Sequence, residues 1–188
     1  MRLFTGIDLP EEVCEKLERL LTVLRPCAHL KWSPLYNLHI TLRFIGEWPE
    51  AKLPELEAAL HAVTPREAIQ TDVKGLGWFP NSHHPRVFWA GVQGGDALTM
   101  LAKDIDAALA PIGLAAEDRV FNPHLTLARI KEPAPLNTLR SAIAKLDSVE
   151  FGKFSVGRFY LYRSQPGSAG SIYTKLSEYS LQPAAQPK

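Results

Sequence analysis

Residues 37–45 read NLHITLRFI, and residues 122–130 read NPHLTLARI. Five of the nine positions are identical, including a His-x-Thr triplet, and the second histidine follows the first by 85 residues (His39 to His124). A single matching tripeptide would mean little, but the predicted elements around it recur in the same order at the same offset. We therefore interpret the chain as one unit that occurs twice.

The sequence around each copy predicts the same succession of strands and helices. Arg2–Ile7 is rich in residues that favour strands, and Pro10, followed by two glutamates, opens a helix that runs to Leu24. Other helices are predicted near 53–63, 96–112 and 136–146, and other strands near 69–76, 86–92, 149–156, 158–163 and 172–181. A loop is predicted at Gln165–Ser171 and a frayed tail at Gln182–Lys188.

These elements predict an α+β fold in a single domain that spans residues 1–188. Its two pseudo-symmetric lobes would correspond to the sequence repeats at about 1–82 and 83–181. In this prediction the duplicated fold is bilobal, with two antiparallel sheets that face a central cleft and helices on the outer faces. The cleft is the expected place for a ligand.

Composition and charge narrow the class of protein. The chain has 188 residues, 46% apolar and 22% charged, and a formal net charge of +1 at pH 7. Such a charge argues against a protein that coats duplex nucleic acid by bulk electrostatics. No apolar run approaches the length of a membrane-spanning helix. Cys14 and Cys27 lack a Cys-x-x-Cys spacing, so we expect reduced thiols in a cytoplasmic protein.

Alternation of side chains along a strand predicts which residues share a face. In the first copy His39, Thr41 and Arg43 point one way, and in the second copy His124 and Thr126 do so. By strict alternation Arg129 falls on the leucine side, either at the strand end or in a structural role. Any half-buried strand has a polar face, and a single histidine there usually has no function. Core packing gives no reason, however, for the same two polar residues to recur.

The recurring residues suit acid–base chemistry at a phosphodiester. Histidine has an unperturbed pKa of about 6.5, so one ring can act as a base while the other acts as an acid near neutral pH. In-line displacement at phosphorus needs a proton removed on one side and a proton supplied on the other. A threonine on the same face can donate a hydrogen bond to a phosphate oxygen.

The paired motifs resemble those of the 2H phosphoesterase superfamily, and most closely its branch of RNA 2′,3′-cyclic phosphodiesterases, also called 2′-5′ RNA ligases. The resemblance covers nearly the whole chain. The stretches that carry it are 4–10 (FTGIDLP), 37–46 (NLHITLRFIG), 85–89 (PRVFW), 123–129 (PHLTLAR) and 161–164 (LYRS).

The resemblance implies hydrolysis of a terminal RNA 2′,3′-cyclic phosphate to a 2′-phosphomonoester, with no metal and no cofactor, and a reversible 2′-5′ ligation. It further implies that His39 is the proton donor and His124 the proton acceptor, and that Thr41 and Thr126 hold the phosphate. Strand alternation adds Arg43 as a candidate substrate contact. The expected partners are RNA 3′ ends, among them tRNA fragments, or small cyclic-phosphate nucleotides; a membrane partner is not expected, and the protein is expected to be a monomer.

Two alternatives stay open at this point. One keeps the chemistry and changes the substrate to 2′-5′ oligonucleotides or ADP-ribose cyclic phosphate. The other is a non-catalytic module that binds RNA ends. Because the chain has no Gly-rich phosphate loop and no clustered carboxylates at magnesium-site spacing, it does not indicate a metal-dependent nuclease or an ATP-driven ligase.

Overall fold

The computed structural model describes residues 1–63, 66–168 and 170–182. Within these residues the chain forms four helices and nine strands. The helices are α1 (Glu11–Leu24), α2 (Leu53–His61), α3 (Gly95–Leu109) and α4 (Asn137–Ala144). The strands are β1 (Arg2–Ile7), β2 (Lys31–Trp32), β3 (Ile40–Glu47), β4 (Ile69–Phe79), β5 (Val87–Gln93), β6 (His124–Arg129), β7 (Glu150–Val156), β8 (Arg158–Gly167) and β9 (Gly170–Ser180).

The strands form two antiparallel sheets, so the predicted α+β class is confirmed. The order is β3-β1-β8-β9 in the first sheet and β2-β6-β5-β4-β7 in the second. Each sheet takes strands from both sequence halves, because β4 pairs with β5 and β8 pairs with β1. The helices cross over as well: α1 packs against β7, and α3 packs against β3. Elements from both halves thus build both sheets and their helical cover.

Helix α1 shows how the local sequence sets an element. Pro10 precedes its first turn in an extended conformation, and Glu11 and Glu12 place negative charge at the positive end of the helix dipole. The apolar residues that recur at helical spacing along α1 are all buried: Val13, Leu17, Leu20, Leu21 and Leu24. This apolar face fixes the helix on the sheet.

The predicted loop at Gln165–Ser171 is wrong in its extent. Strand β8 continues to Gly167 and β9 begins at Gly170, with Gln165 opposite Ile172 and Pro166 opposite Ser171. Pairing between the two strands extends the hairpin beyond the predicted strand ends, to Gly167 and Gly170. Local composition gives no information on this pairing. Of the predicted tail, residues 183–188 lie outside the described part of the chain.

Both His-x-Thr strands contain a bulge at the same repeat position. On β3, Thr41 pairs with Gly6 and Arg43 pairs with Thr5, so Leu42 is the extra residue. On β6, Thr126 pairs with Trp89 and Ala128 pairs with Phe88, so Leu127 is the extra residue. Each bulge reverses the alternation for the residues that follow.

The bulges redirect four side chains. Arg43 and Ala128 turn inward and are buried, whereas Phe44 and Arg129 turn to the face that carries the histidines and are exposed. Strict alternation therefore placed both arginines on the wrong face.

Arg43 lies in a buried ion cluster against α3 and not in the cleft. Its Nε lies 2.7 Å from Asp106 Oδ1, and its Nη1 donates to Glu117 Oε2 at 3.2 Å. Nη2 also donates to the carbonyl oxygen of Ala115, and only 9% of the side chain is exposed. The prediction that Arg43 contacts substrate is contradicted, because its guanidinium ties β3 to α3 and to the segment that leads into His124.

We expect Arg43→Ala to lower the free energy of unfolding by about 3–5 kcal/mol, because it leaves the Asp106 carboxylate without its buried partner. Urea denaturation measures this change. Arg19→Ala is a matched control that should cost less than about 0.5 kcal/mol. Arg19 is exposed, and its ion pair with Glu15 in the i,i+4 arrangement is long, at 3.9 Å. Loss of turnover in Arg43→Ala with unchanged stability would contradict this structural role.

Candidate active site

Both motif histidines are anchored by the same backbone contact. His39 Nδ1 lies 2.7 Å from the carbonyl oxygen of Asn37, and His124 Nδ1 lies 2.7 Å from that of Asn122. A carbonyl oxygen only accepts, so each Nδ1 carries the hydrogen and donates it. Each Nε2 is thereby left for proton transfer.

Aromatic side chains fix the plane of each imidazole. Phe4 stacks on His39 with ring centroids 4.6 Å apart, and Tyr173 meets the same ring edge-on at 5.1 Å. On the other strand Phe79 meets His124 edge-on at 4.9 Å. A side chain at Gly6 would place its Cβ 3.4 Å from the His39 ring and 2.9 Å from the carbonyl oxygen of Ile40. The glycine therefore permits the close approach of β1 to the backbone of β3 at Ile40, next to the histidine.

The two imidazoles lie within electrostatic reach of each other. Strand β3 lies against β6, and both rings are partly exposed. Burial lowers the pKa of His39 most, and the positive charges of Arg129 and His124 lower it further. Burial also lowers the pKa of His124, and Arg129 adds to that effect. Because one guanidinium acts on both rings, it lies within electrostatic reach of each.

Arg129 is the functional candidate that sequence reasoning missed. It is exposed on the face of His124 and Thr126, opposite Val87 on β5 and Lys31 on β2. The bulge at Leu127 puts it there, and the only available signal was the register of β6 on β5. An arginine beside two histidines can hold a phosphate oxygen with two N–H groups.

Of the two threonines, Thr41 has the clearer contact. Its Oγ1 lies 3.0 Å from His39 Nε2, so the hydroxyl and the imidazole point to one spot. Thr126 shares the face of His124 and pairs with Trp89. The structure thus places the Thr41 hydroxyl beside His39 and Thr126 on the strand face of His124, while Arg43 lies elsewhere.

A second group of polar residues lies beside His39 only. The Tyr162 hydroxyl and the Lys175 ammonium both donate to the carboxylate of Asp8. Burial and the Asp8 carboxylate raise the pKa of Tyr162, so the phenol stays protonated. Burial lowers the pKa of His39, and the negative charge of Asp8 raises it, so the two effects partly cancel. The two histidines therefore sit in different electrostatic surroundings.

Next to this group a cavity of about 390 Å³ opens beside His39. Asp8, Tyr36, Tyr173 and Lys175 are among the residues that line it.

In the described part of the chain neither a metal-binding cluster nor a membrane-spanning helix is present. No three His, Cys, Asp or Glu side chains there are grouped so that they could hold a metal ion. No helix among the same residues is long and apolar enough to cross a bilayer.

Comparison with known proteins identifies the family. The sequence model of the 2′-5′ RNA ligase superfamily matches residues 9–167. The chain belongs to this superfamily. A protein of Thermus thermophilus named RNA 2′,3′-cyclic phosphodiesterase is 36% identical over 96% of this chain and 90% of its own length. A protein of the same name from Methanothermobacter thermautotrophicus is 32% identical over 96% of this chain and 99% of its own length.

Solved structures of the superfamily share the whole fold. The crystal structure of TT0787 of Thermus thermophilus aligns with a TM-score of 0.82 and 35% identity, covering 97% of this chain and 98% of that one. The structure of E. coli LigT complexed with 3′-AMP aligns with a TM-score of 0.76 and 27% identity, covering 96% and 97%. The predicted family and fold are therefore confirmed.

Substitutions at Asp8 and Arg129 should separate the two imidazoles in a titration followed by NMR. Asp8→Asn removes a charge that raises the pKa of His39, so that pKa should fall, with a smaller change at His124. Arg129→Gln removes a charge that lowers both, so the pKa of both imidazoles should rise. An Arg129→Gln protein in which only one histidine responds would contradict the shared site.

Proposed function

We propose that this protein hydrolyses a terminal 2′,3′-cyclic phosphate of RNA to a 2′-phosphomonoester. The observation that carries the proposal is the pair of imidazoles whose Nδ1 atoms are anchored in the same way on equivalent strands. Proton exchange then falls to Nε2 of each ring, which in His39 contacts the Thr41 hydroxyl. Two superfamily relatives of nearly the same length are named for this activity, and a related structure holds a nucleoside monophosphate.

In the proposed reaction His124 Nε2 takes a proton from the attacking water. The water oxygen bonds to phosphorus, the bond from phosphorus to the 3′ oxygen breaks, and His39 Nε2 gives that oxygen its proton. The assignment of donor and acceptor is the one that the family resemblance implies; burial lowers the pKa of His39, and the negative charge of Asp8 raises it in part. Each such proton transfer is worth about 10²–10⁴-fold in rate.

Three side chains are proposed to bind the phosphate. Thr41 and Thr126 donate hydroxyl hydrogen bonds to its non-bridging oxygens, and Arg129 offsets the charge that develops there. Phe44 is 48% exposed on the same face and offers a stacking surface to the terminal base. The same arrangement serves 2′-5′ ligation when a 5′ hydroxyl replaces the water.

The decisive experiment is identification of the product from an oligonucleotide with a 2′,3′-cyclic phosphate end. We expect a 2′-phosphate with a free 3′ hydroxyl, formed at an unchanged rate in excess EDTA because no step uses a metal. His39→Ala and His124→Ala should each lower kcat by about 10²–10⁴-fold, whereas His29→Ala, at an exposed position, should not. Tight binding of the RNA end without turnover would instead favour a non-catalytic module.

The pH dependence of kcat/KM should be bell-shaped. Activity requires neutral His124, so it falls as the pH drops below the pKa of His124. Activity also requires protonated His39, so it falls as the pH rises above the pKa of His39. Both pKa values lie below the ordinary 6.5, which places the maximum on the acidic side of neutrality. A profile that stays flat from pH 5 to pH 8 would argue against a histidine pair as acid and base.

A further inference from the structure

The cavity beside His39 has an aromatic rim that the fold itself does not need. Tyr36 lines it and is 79% exposed, so its ring is not held by core packing. Its counterpart in the second repeat, 85 residues later, is Phe121, which packs against the hydrophobic core. The aromatic ring at this position is therefore exposed to solvent in the first repeat and packed against the core in the second.

The floor of the cavity is polar but nearly neutral. The Lys175 ammonium bonds the Asp8 carboxylate and lies 4.1 Å from the centre of the Tyr160 ring. Because the two charges offset each other, the cavity favours an uncharged nucleoside over a second phosphate. The volume of about 390 Å³ falls in the usual range of small-molecule pockets, about 300–1,000 Å³.

The backbone around Tyr36 is held in place. The Asn37 side-chain amide donates to the carbonyl oxygen of Ser171 at the edge of β9, and the carbonyl oxygen of Asn37 anchors His39. The rim and the imidazole are therefore fixed to each other, and a base stacked on Tyr36 would have a defined position relative to the reacting phosphate.

The side on which the cavity opens indicates what enters it. His39 lines it and His124 does not. In the proposed function, on which this step rests, His39 faces the leaving 3′ oxygen, which remains on the terminal ribose. The RNA chain continues from that ribose through its 5′ oxygen. A group beyond His39 thus belongs to RNA upstream of the reacting end, and the attacking water or 5′ hydroxyl lies on the other side.

We propose that the cavity between Tyr36 and Tyr173 binds the penultimate nucleoside of a single-stranded RNA end by stacking, which makes the protein selective for oligonucleotides over cyclic mononucleotides. The preference would tolerate any base, since every base offers a face for stacking.

The test compares kcat/KM for adenosine 2′,3′-cyclic phosphate with that for the dinucleotide ApA carrying a 2′,3′-cyclic phosphate. The unaltered protein should prefer the dinucleotide about tenfold, the scale of one stacked base. Tyr36→Ala should abolish most of this ratio, and Tyr36→Phe, which keeps the ring, should retain it. Met100→Ala, at an exposed position on α3, is the remote control and should leave the ratio unchanged.

Affinities of the two 2′-phosphate products, measured by calorimetry, report the same ratio without turnover. If neither cyclic phosphate is hydrolysed, the proposed function fails, and the product affinities still decide the nucleoside site. Equal rates and affinities for mononucleotide and dinucleotide, or a ratio untouched by Tyr36→Ala, would overturn the site. A Tyr36→Ala protein impaired only in joining a 5′ hydroxyl acceptor would overturn it too, by placing the cavity on the attacking side.

Discussion

The chemistry of the cleft depends on one hydrogen bond made twice, from an imidazole Nδ1 to the backbone carbonyl oxygen two residues earlier. It fixes the tautomer, so that Nε2 is the nitrogen of each neutral ring that is available for proton transfer. Because the acceptor belongs to the main chain, the bond follows from the local path of the backbone. Duplication of this short stretch of sequence therefore duplicates a histidine whose tautomer is fixed by the backbone. The aromatic neighbours differ, with Phe4 stacked on one ring and Phe79 edge-on to the other.

Exchange of elements between the two halves joins the strands of the two histidines in one framework. Helix α3 from the second half packs on β3 from the first, and Arg43 on β3 bonds Ala115 and Glu117 in the segment before His124. A buried guanidinium with several partners specifies relative position more than it adds stability. Arg43 thus belongs to the framework that places the two strands.

The two repeats are similar in backbone structure but differ in the charged residues around their histidines. Asp8, with its hydrogen bonds from Tyr162 and Lys175, lies beside His39, whereas Arg129 acts on both rings. Position 44 in the first repeat carries phenylalanine where the second carries Arg129. The duplicated unit thus yields two histidines with different electrostatic surroundings, as the proposed acid and base roles at two distinct oxygens require.

The sequence by itself determined the fold class, the order of the elements, the buried face of α1 and the repeat of the His-x-Thr motif, because these follow from hydrophobic periodicity and from a repeat that can be read residue by residue. Only the tertiary structure decided the faces of Arg43 and Arg129, since a bulge depends on the register of a neighbouring strand and leaves no local signature. The extent of the β8–β9 hairpin and the exchange of strands between sheets are likewise properties of pairing across the fold. Hydrophobic periodicity indicates which face of a segment is buried, but the pairing register with the neighbouring strand determines where each side chain points.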